Sequence, residues 1–339
     1  MTSLRSVLIV DDEPAVCDLM SRWVASLGLQ PKTVSSADEA LATLRVNHYD
    51  LAVIDVMMPG HDGLWLAGEL RRDHPHTAVV IATAYTDLLD GGQEEQPIAD
   101  LLVKPFQRDR FALAVDRGRQ WRERALEEGR WHARLSLELR DRVDNVATIV
   151  RERADAGVSA VDTLHALAVA RMPETLAHAE RVGRYAQSVA REMGVHSELV
   201  ETVEISARMH DIGKIAMPEA LMSKPSPLTA GEMTIMQRHV EVGAEILLST
   251  GTLREAAPAV LASHEWFGGG GYPRKLAGAS IPLASRIIAV ADSYDAMTQD
   301  RAYRLRLDSK DAVSELLRCS PTQFDPAVVS AFLGVLGRH

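Results

Sequence analysis

Short apolar runs alternate with amphipathic stretches over the first 120 residues of the chain. Strands buried on both faces read as continuous apolar runs, whereas surface helices carry apolar residues at three- and four-residue steps. The alternation therefore predicts an α/β domain, a doubly wound parallel sheet covered by helices. The five predicted strands are Val7–Val10, Lys32–Val34, Leu51–Ile54, Val79–Ala82 and Leu101–Val103.

The pattern becomes charged and purely helical after residue 107, with apolar residues at three- and four-residue steps. This spacing allows a coiled-coil seam between two chains, which we favour, and so predicts a homodimer. It also fits one amphipathic helix packed on its own domain, and that alternative stays open. The apolar positions of the seam are Leu135, Leu139, Val143, Val146 and Val150.

Helical periodicity continues to the end of the chain and predicts a second, all-α domain. The organisation is then an α/β domain over residues 1–120, a helical linker over 121–161 and the all-α domain over 162–339. Its predicted helices are Leu164–Ala170, Leu176–Met193, Leu199–Met209, Ala230–Leu248, Pro258–His264 and Leu283–Met297.

Composition narrows the classes of function. The 339 residues are 46% hydrophobic and 25% charged, which is typical of soluble domains, and the formal net charge is −10. Such an acidic balance argues against general DNA binding, which depends on clustered Lys and Arg. No stretch reaches the ~20 apolar residues of a membrane span, no cleavable apolar segment precedes the first strand, and the two cysteines lie far apart. We therefore expect a cytoplasmic protein without a membrane partner.

Polar residues follow the predicted strands of the first domain. They are Asp11, Asp12, Asp55, Thr83 and Lys104. In doubly wound sheets the carboxyl ends of the strands form the ligand site, so these side chains should meet at one edge. Three converging carboxylates repel one another unless a cation joins them, and hard oxygen ligands suit Mg²⁺.

This arrangement resembles a two-component receiver domain, which has a flavodoxin-like fold. The resemblance implies that Asp55 is the phosphoacceptor and that it binds Mg²⁺ together with Asp11 and Asp12. It also implies that Thr83 and Lys104 contact the phosphoryl oxygens, and that a cognate sensor histidine kinase is a partner. The aromatic residue that receivers carry three positions before this lysine is a leucine here.

Histidines and carboxylates of the second domain lie too far apart for one local zinc motif, which uses short paired spacings. They can meet only if several helices each offer an inward-facing ligand. Glu174 lies four residues before His178, so both side chains can face one ion.

The order of motifs in this domain is His-Asp-Ile-Gly-Lys at 210–214, His239, His-Glu at 264–265, Gly-Tyr-Pro at 271–273 and Asp292. It resembles the HD-GYP family, metal-dependent cyclic di-GMP phosphodiesterases of the HD superfamily. The resemblance implies two groups of metal ligands, His178, His210, Asp211 and Asp292 in the first and Asp211, His239 and His264 in the second.

The same resemblance implies further roles and cofactors. Glu174 matches a position that some members use for a third ion, so we expect two or three divalent ions. Mixed imidazole and carboxylate ligation favours iron or manganese, with zinc as an alternative. Asp211 and Lys214 are implied as catalytic residues, and Lys214, Tyr272, Arg301 and Arg304 as contacts of the substrate.

One position departs from the family, because its paired His-His-Glu is Ser263-His264-Glu265 here. A hydroxyl is a poor ligand for these metals, so the second ion loses one protein donor. Water could fill the place, the second ion could bind weakly, or hydrolysis could fail. The intact remaining ligands favour retained activity.

The sequence thus predicts a response regulator in which phosphorylation of Asp55 adjusts hydrolysis of cyclic di-GMP to pGpG, GMP or both. One alternative is a catalytically silent output that binds the dinucleotide or a partner such as a diguanylate cyclase. Another is a phosphodiesterase for a different cyclic dinucleotide, such as cyclic GMP-AMP.

Overall fold

The computed structural model describes residues 4–84, 98–156, 159–251, 253–300 and 306–337, without the side chains of residues 173 and 174. The chain divides into two compact units, residues 1–131 and 132–339. None of the helices in these ranges has the length and apolar character needed to cross a bilayer.

The first unit contains a five-stranded parallel sheet with the strand order β2-β1-β3-β4-β5. All five predicted strands are confirmed, each one or two residues longer than the predicted range. The strands are β1 (Ser6–Val10), β2 (Gln30–Val34), β3 (Leu51–Asp55), β4 (Ala78–Thr83) and β5 (Asp100–Val103).

The central strands β1, β3 and β4 of the sheet are buried on both faces. Val7 and Ile9 of β1 pack into one apolar core with Phe111, while Leu8 and Val10 pack into the other. Successive side chains of a strand point to opposite faces, so two apolar cores require an unbroken apolar run. The helices around the sheet are α1 (Pro14–Ser26), α2 (Ala37–Val46), α3 (Gly63–Asp73) and the start of α4 (Arg108–Asp155).

The apolar seam of α4 lies within the second unit. In a single chain its five predicted positions are buried, with relative exposures between 1% and 8%. This burial favours packing of α4 on its own chain, the alternative to an intermolecular seam. A homodimer through these side chains stays a prediction.

The second unit is all-α, as predicted. One apolar core of this unit joins Val182, Val203, Ile287 and Phe332 from four helices. The helices after α4 are α5 (Ala160–Arg171), α6 (Pro173–Glu192), α7 (Ser197–Met209), α8 (Glu219–Met222), α9 (Ala230–Gln237), α10 (His239–Leu248), α11 (Ala257–Leu261), α12 (Leu283–Thr298), α13 (Ser309–Arg318) and α14 (Pro326–Leu336).

Two predicted helices differ from the structure. The helix predicted over Ala230–Leu248 is two helices, because Arg238 has a ψ of −8° and its amide donates to Ile235 at 3.2 Å, one residue short of the α-helical pattern. The helix predicted to reach His264 ends at Leu261. Both ends place a histidine, His239 or His264, beside a helix terminus.

Candidate functional site

An acidic group lies at the carboxyl ends of β1 and β3. Oxygens of Asp11, Asp12 and Asp55 approach within 4.8 Å of one another. Nζ of Lys104 lies 2.8 Å from Oδ2 of Asp11 and 2.9 Å from Oδ1 of Asp55. Burial raises the pKa of Asp55, and the ion pair with Lys104 only partly opposes this. A divalent cation among these oxygens would offset the remaining repulsion.

Thr83 ends β4 and is fully buried, and its carbonyl oxygen accepts from the amide of Lys104 at 2.7 Å. The Lys104–Pro105 peptide is cis. The sheet thus brings all five predicted residues to one edge. Their roles in phosphoryl transfer stay predictions.

Gly63 lets α3 start directly against Asp55 at the end of β3. A Cβ added there would overlap the carbonyl oxygen of Asp55 and lie 2.8 Å from its carbonyl carbon. We expect Gly63→Ala to lower the free energy of unfolding by about 1–3 kcal/mol, the usual cost of overpacking, and to slow phosphorylation of Asp55 by acetyl phosphate.

Gly68→Ala is the matched control, because a Cβ at that position of the same helix has no atom within 4 Å. Alanine should stabilise α3 there by up to about 1 kcal/mol. Urea unfolding of both variants measures the difference. Equal stabilities would contradict the close approach of Gly63 to β3.

The first candidate metal group joins α6, the residue after α7, and α12. Its members are His178, His210 and Asp292, whose ligand atoms lie within 4.8 Å of one another. Oδ1 of Asp292 is 3.2 Å from Nε2 of His178 and 3.8 Å from Nε2 of His210. Three separate elements therefore supply one donor each.

The second candidate group is Asp211, His239 and His264. Oδ1 of Asp211 lies 3.4 Å from Nε2 of His239, and Oδ2 lies 3.5 Å from Nε2 of His210 in the first group. The two oxygens of Asp211 thus face different groups. This geometry is the one expected of a bridging carboxylate.

Backbone carbonyls orient two of the histidines. Nδ1 of His210 lies 2.7 Å from the carbonyl oxygen of Ala207, and Nδ1 of His239 lies 2.9 Å from that of Met236. A carbonyl only accepts, so Nδ1 carries the hydrogen and Nε2 presents its lone pair to the site.

The buried polar atoms of both groups fit bound cations. Buried polar atoms normally have hydrogen-bond partners. Four atoms in the groups are buried without such a partner among the described residues, namely Nε2 of His210, His239 and His264 and Oδ1 of Asp211. Divalent ions would satisfy all four.

Charges within the site set the ionisation of the ligands. Burial lowers the pKa of His239 to about 4 and also lowers that of His264, so both rings are neutral at pH 7. Burial also disfavours a charged His178, but hydrogen bonds with Asp292 and Asp295 raise its pKa to about 9. An ion at Nε2 of His178 must therefore displace a proton.

Both aspartates are ionised for a common reason. Although burial alone would raise the pKa of Asp211, the ammonium of Lys214, together with the neighbouring imidazoles, holds it well below its usual range. Burial alone would raise the pKa of Asp292 too, but its hydrogen bond with His178 and the neighbouring imidazoles together lower it. Anionic oxygens are thus available to cations at neutral pH.

Lys214 and Tyr272 border the second group. Lys214 lies in a 3-10 helix, Ile212–Ala216, and its Nζ donates to Oδ2 of Asp211 at 2.6 Å. The ring of Tyr272 stacks on His264 with centroids 5.1 Å apart and planes 9° apart. Burial raises the pKa of Tyr272, so its hydroxyl stays protonated and can donate.

Three predicted residues lie beyond what the structure describes. Arg301 and Arg304 are outside the described residues, and so is the side chain of Glu174, although its backbone belongs to the first turn of α6. Their predicted contacts with substrate or with a third ion stay predictions.

Ser263 is buried, and its hydroxyl donates to the carbonyl oxygen of Val260 at 2.8 Å. The hydroxyl is thus bonded to its own turn of backbone. The donors of the second group among the described residues are therefore Asp211, His239 and His264. We expect Ser263→His to strengthen binding of the second ion about tenfold or more, equivalent to at least 1.4 kcal/mol, because it adds an imidazole donor.

Manganese titration of the purified chain tests this expectation. Ser263→Ala is the matched control, since it removes the hydroxyl without adding a ligand and should bind like the native chain. Unchanged affinity in a folded Ser263→His variant would mean that another donor already completes the second site.

Sequence reasoning missed Asp295 and Arg181. The carboxylate of Asp295 lies 2.7 Å from Nδ1 of His178 and accepts two hydrogen bonds from Arg181. A signal was available, because Asp295 follows Asp292 by three residues and so shares its face of α12.

A cavity of about 250 Å³ lies between α5, α6 and α7 and reaches Asp211. Its walls are mainly apolar, and Asp162, Glu180 and Arg208 add charged groups. Asp211 is the member of the two metal groups that lines this cavity.

Two family models match the chain, a response regulator receiver domain over residues 7–116 and an HD domain over residues 162–328. A cyclic di-GMP phosphodiesterase of Thermotoga maritima is 30% identical over 97% of this chain and 89% of its own length. The cyclic di-GMP phosphodiesterase response regulator RpfG of Xanthomonas campestris pv. campestris is 32% identical, over 97% and 87%. A 3'3'-cGAMP-specific phosphodiesterase of Vibrio cholerae is 37% identical over 48% of this chain and 32% of its own length.

Proposed function

This chain belongs to the cyclic di-GMP phosphodiesterase response regulators, which join an N-terminal receiver to a C-terminal HD domain, and we propose that it hydrolyses cyclic di-GMP to pGpG, GMP or both. The observation that carries this proposal is the pair of His/Asp groups sharing Asp211, with four buried atoms lacking partners among the described residues. The names of the relatives indicate cyclic di-GMP as the substrate, and the two His/Asp groups support metal-assisted hydrolysis.

The donor set supports two divalent ions, with iron or manganese favoured over zinc. His178, His210 and Asp292 would hold one ion, His239 and His264 the other, and Asp211 both. When bound, such ions lower the pKa of a shared water and neutralise charge on the attacked phosphodiester. No side-chain nucleophile is then required.

Side chains around the ions would bind and orient the substrate. Lys214 lies beside Oδ2 of Asp211, where its ammonium could donate to a phosphate oxygen or to the attacking water. Tyr272, with its hydroxyl protonated, can donate to the substrate from above His264. The cavity between α5, α6 and α7 offers an apolar surface for a base.

Ser263 is compatible with this activity. Catalytic metal sites commonly keep three protein ligands and leave an open position for water or substrate. The second group has that number of donors among the described residues, Asp211, His239 and His264. We therefore propose that the vacancy left by the missing histidine is used by water.

Control by the receiver is part of the proposal. We propose that a cognate histidine kinase phosphorylates Asp55 and that Mg²⁺ at Asp11, Asp12 and Asp55 assists this transfer. Lys104, which lies within hydrogen-bond distance of two of these carboxylates, would contact the phosphoryl group.

Two alternatives rest on specific observations. Loss of a histidine at Ser263 favours a silent domain that binds cyclic di-GMP or a protein such as a diguanylate cyclase. The similarity to a 3'3'-cGAMP-specific phosphodiesterase over half of the chain favours hydrolysis of a different cyclic dinucleotide.

One experiment separates these functions. The chain is purified anaerobically, its metals are counted by elemental analysis, and the same sample is assayed on cyclic di-GMP and 3'3'-cGAMP with product identification. Two or three metals with cyclic di-GMP turnover support the proposal. Fewer than two metals and no turnover after loading with iron or manganese favour the silent domain. Faster hydrolysis of 3'3'-cGAMP than of cyclic di-GMP favours the alternative substrate.

Control by the receiver is tested with acetyl phosphate. It should alter the rate of hydrolysis by the native chain but not that by Asp55→Asn.

A further inference from the structure

His178 lies between two carboxylates of the same helix. Its Nε2 is 3.2 Å from Oδ1 of Asp292, and its Nδ1 is 2.7 Å from Oδ2 of Asp295. Asp292 and Asp295 are three residues apart on α12 and so share one face. Either nitrogen of this ring could in principle serve a metal ion.

Arg181 makes the two carboxylates different. Its Nε donates to Oδ1 of Asp295 at 2.6 Å and its Nη2 donates to Oδ2 at 2.9 Å, which is the two-pronged geometry of a strong arginine–carboxylate pair. Asp295 is only 1% exposed, so this pair neutralises a charge that water cannot reach. The ion-pair partners of Asp292 among the described residues are the histidines of its own group.

This difference between the two carboxylates determines which nitrogen of His178 carries the hydrogen and which can bind metal. A carboxylate already bonded to a guanidinium is a weak ligand, whereas a carboxylate accompanied only by imidazoles is free to bind a cation. Because ionised Asp295 only accepts, it keeps the hydrogen of His178 on Nδ1. Nε2 is then the nitrogen left to bind metal.

We propose that Asp295, held by Arg181, is a positioning residue that fixes the ring of His178 and directs its Nε2 toward the first metal ion. The inference rests on the proposed function, since it requires an ion at His178, His210 and Asp292. Outer carboxylates of this kind orient a ligating histidine and raise its basicity.

A purely structural role makes a different prediction. A buried ion pair that only joins α6 to α12 would affect unfolding but not metal affinity. Asp325 offers the matched comparison, because it is also buried, bonds Arg286 of α12 at 2.6 Å and caps the start of α14. Removing the Asp325 carboxylate should lower the free energy of unfolding without changing metal affinity.

Binding of Mn²⁺ to the full chain tests the proposal, with free Mn²⁺ measured by its electron paramagnetic resonance signal. The variants are Asp295→Ala, Asp295→Asn, Asp292→Asn and Asp325→Ala, and thermal unfolding of each metal-free variant is recorded alongside. We expect Asp295→Ala to weaken one Mn²⁺ site about 10–100-fold. Asp295→Asn keeps an acceptor oxygen and should lose less affinity, and Asp325→Ala should bind like the native chain.

Two results would overturn the inference, and only one of them also contradicts the proposed metal site. If Asp292→Asn loses a site while both Asp295 variants bind Mn²⁺ like the native chain, Asp295 has no positioning role and the proposed metal site stands. If Asp292→Asn itself leaves binding unchanged, the metal site of the proposed function is wrong and the role of Asp295 falls with it.

Discussion

Asp211→Asn is expected to abolish binding of both metal ions and to reduce hydrolysis of cyclic di-GMP about a thousandfold or more. An amide has one neutral acceptor oxygen, so it cannot replace a carboxylate whose two oxygens face His210 and His239. Metal ions contribute several kcal/mol of transition-state stabilisation, and 1.36 kcal/mol corresponds to about a tenfold change in rate. Metal content and turnover should therefore fall together.

Elemental analysis and the hydrolysis assay on one preparation measure both effects. Asp311→Asn is the control, because this exposed aspartate lies in the first turn of α13 and takes no part in either metal group. Native turnover by a folded Asp211→Asn variant would show that the site proposed for catalysis is wrong.

Gly213→Ala is expected to destabilise the second unit and to weaken the second metal site. The 3-10 helix after Asp211 approaches α10 so closely that an added Cβ would overlap the carbonyl oxygen of His239 and lie 2.6 Å from the amide nitrogen of Gly243. Backbone atoms cannot rotate away as a side chain can, so α10 must shift. We expect a loss of about 1–3 kcal/mol in the free energy of unfolding, together with lower Mn²⁺ affinity.

The control for this variant is Gly251→Ala, where a Cβ meets no atom within 4 Å. Its stability should change by no more than about 0.5 kcal/mol. Urea unfolding of the metal-free variants and Mn²⁺ titration measure the two effects separately. A Gly213→Ala variant with native unfolding and native Mn²⁺ affinity would contradict the packing of this segment on α10.

The fold could be predicted from sequence where a single physical requirement determines the pattern. Strands β1, β3 and β4 of the receiver are buried on both faces, so their apolar runs have no other ready explanation, and all five predicted strands are confirmed. The seam of α4 lacked such a requirement. Leu135 and Leu139 have the same spacing whether they are covered by a second chain or by their own, and only burial in the structure separates the two cases.

The candidate metal ligands could be anticipated by the order of motifs, but the pairing of Asp295 with Arg181 behind them could not. His178 and Asp292 match positions of a known pattern, whereas the bond between Arg181 and Asp295 joins residues 114 positions apart. Arg and Asp are common on helix surfaces, and nothing in their local sequence indicates that they face each other. The break of the helix at Arg238 was missed for a related reason, since the residues around it are compatible with one continuous helix.

The candidate ligands come from five separate segments, α6, the end of α7, the start of α10, the end of α11 and α12. Ions bound there would act as cross-links between distant parts of the chain. At a thousand times the dissociation constant, an ion bound only to the folded state adds about 4 kcal/mol to its stability. A cell short of such ions would then hold a second unit that opens more often, and the susceptibility of that unit to proteases would report the metal supply.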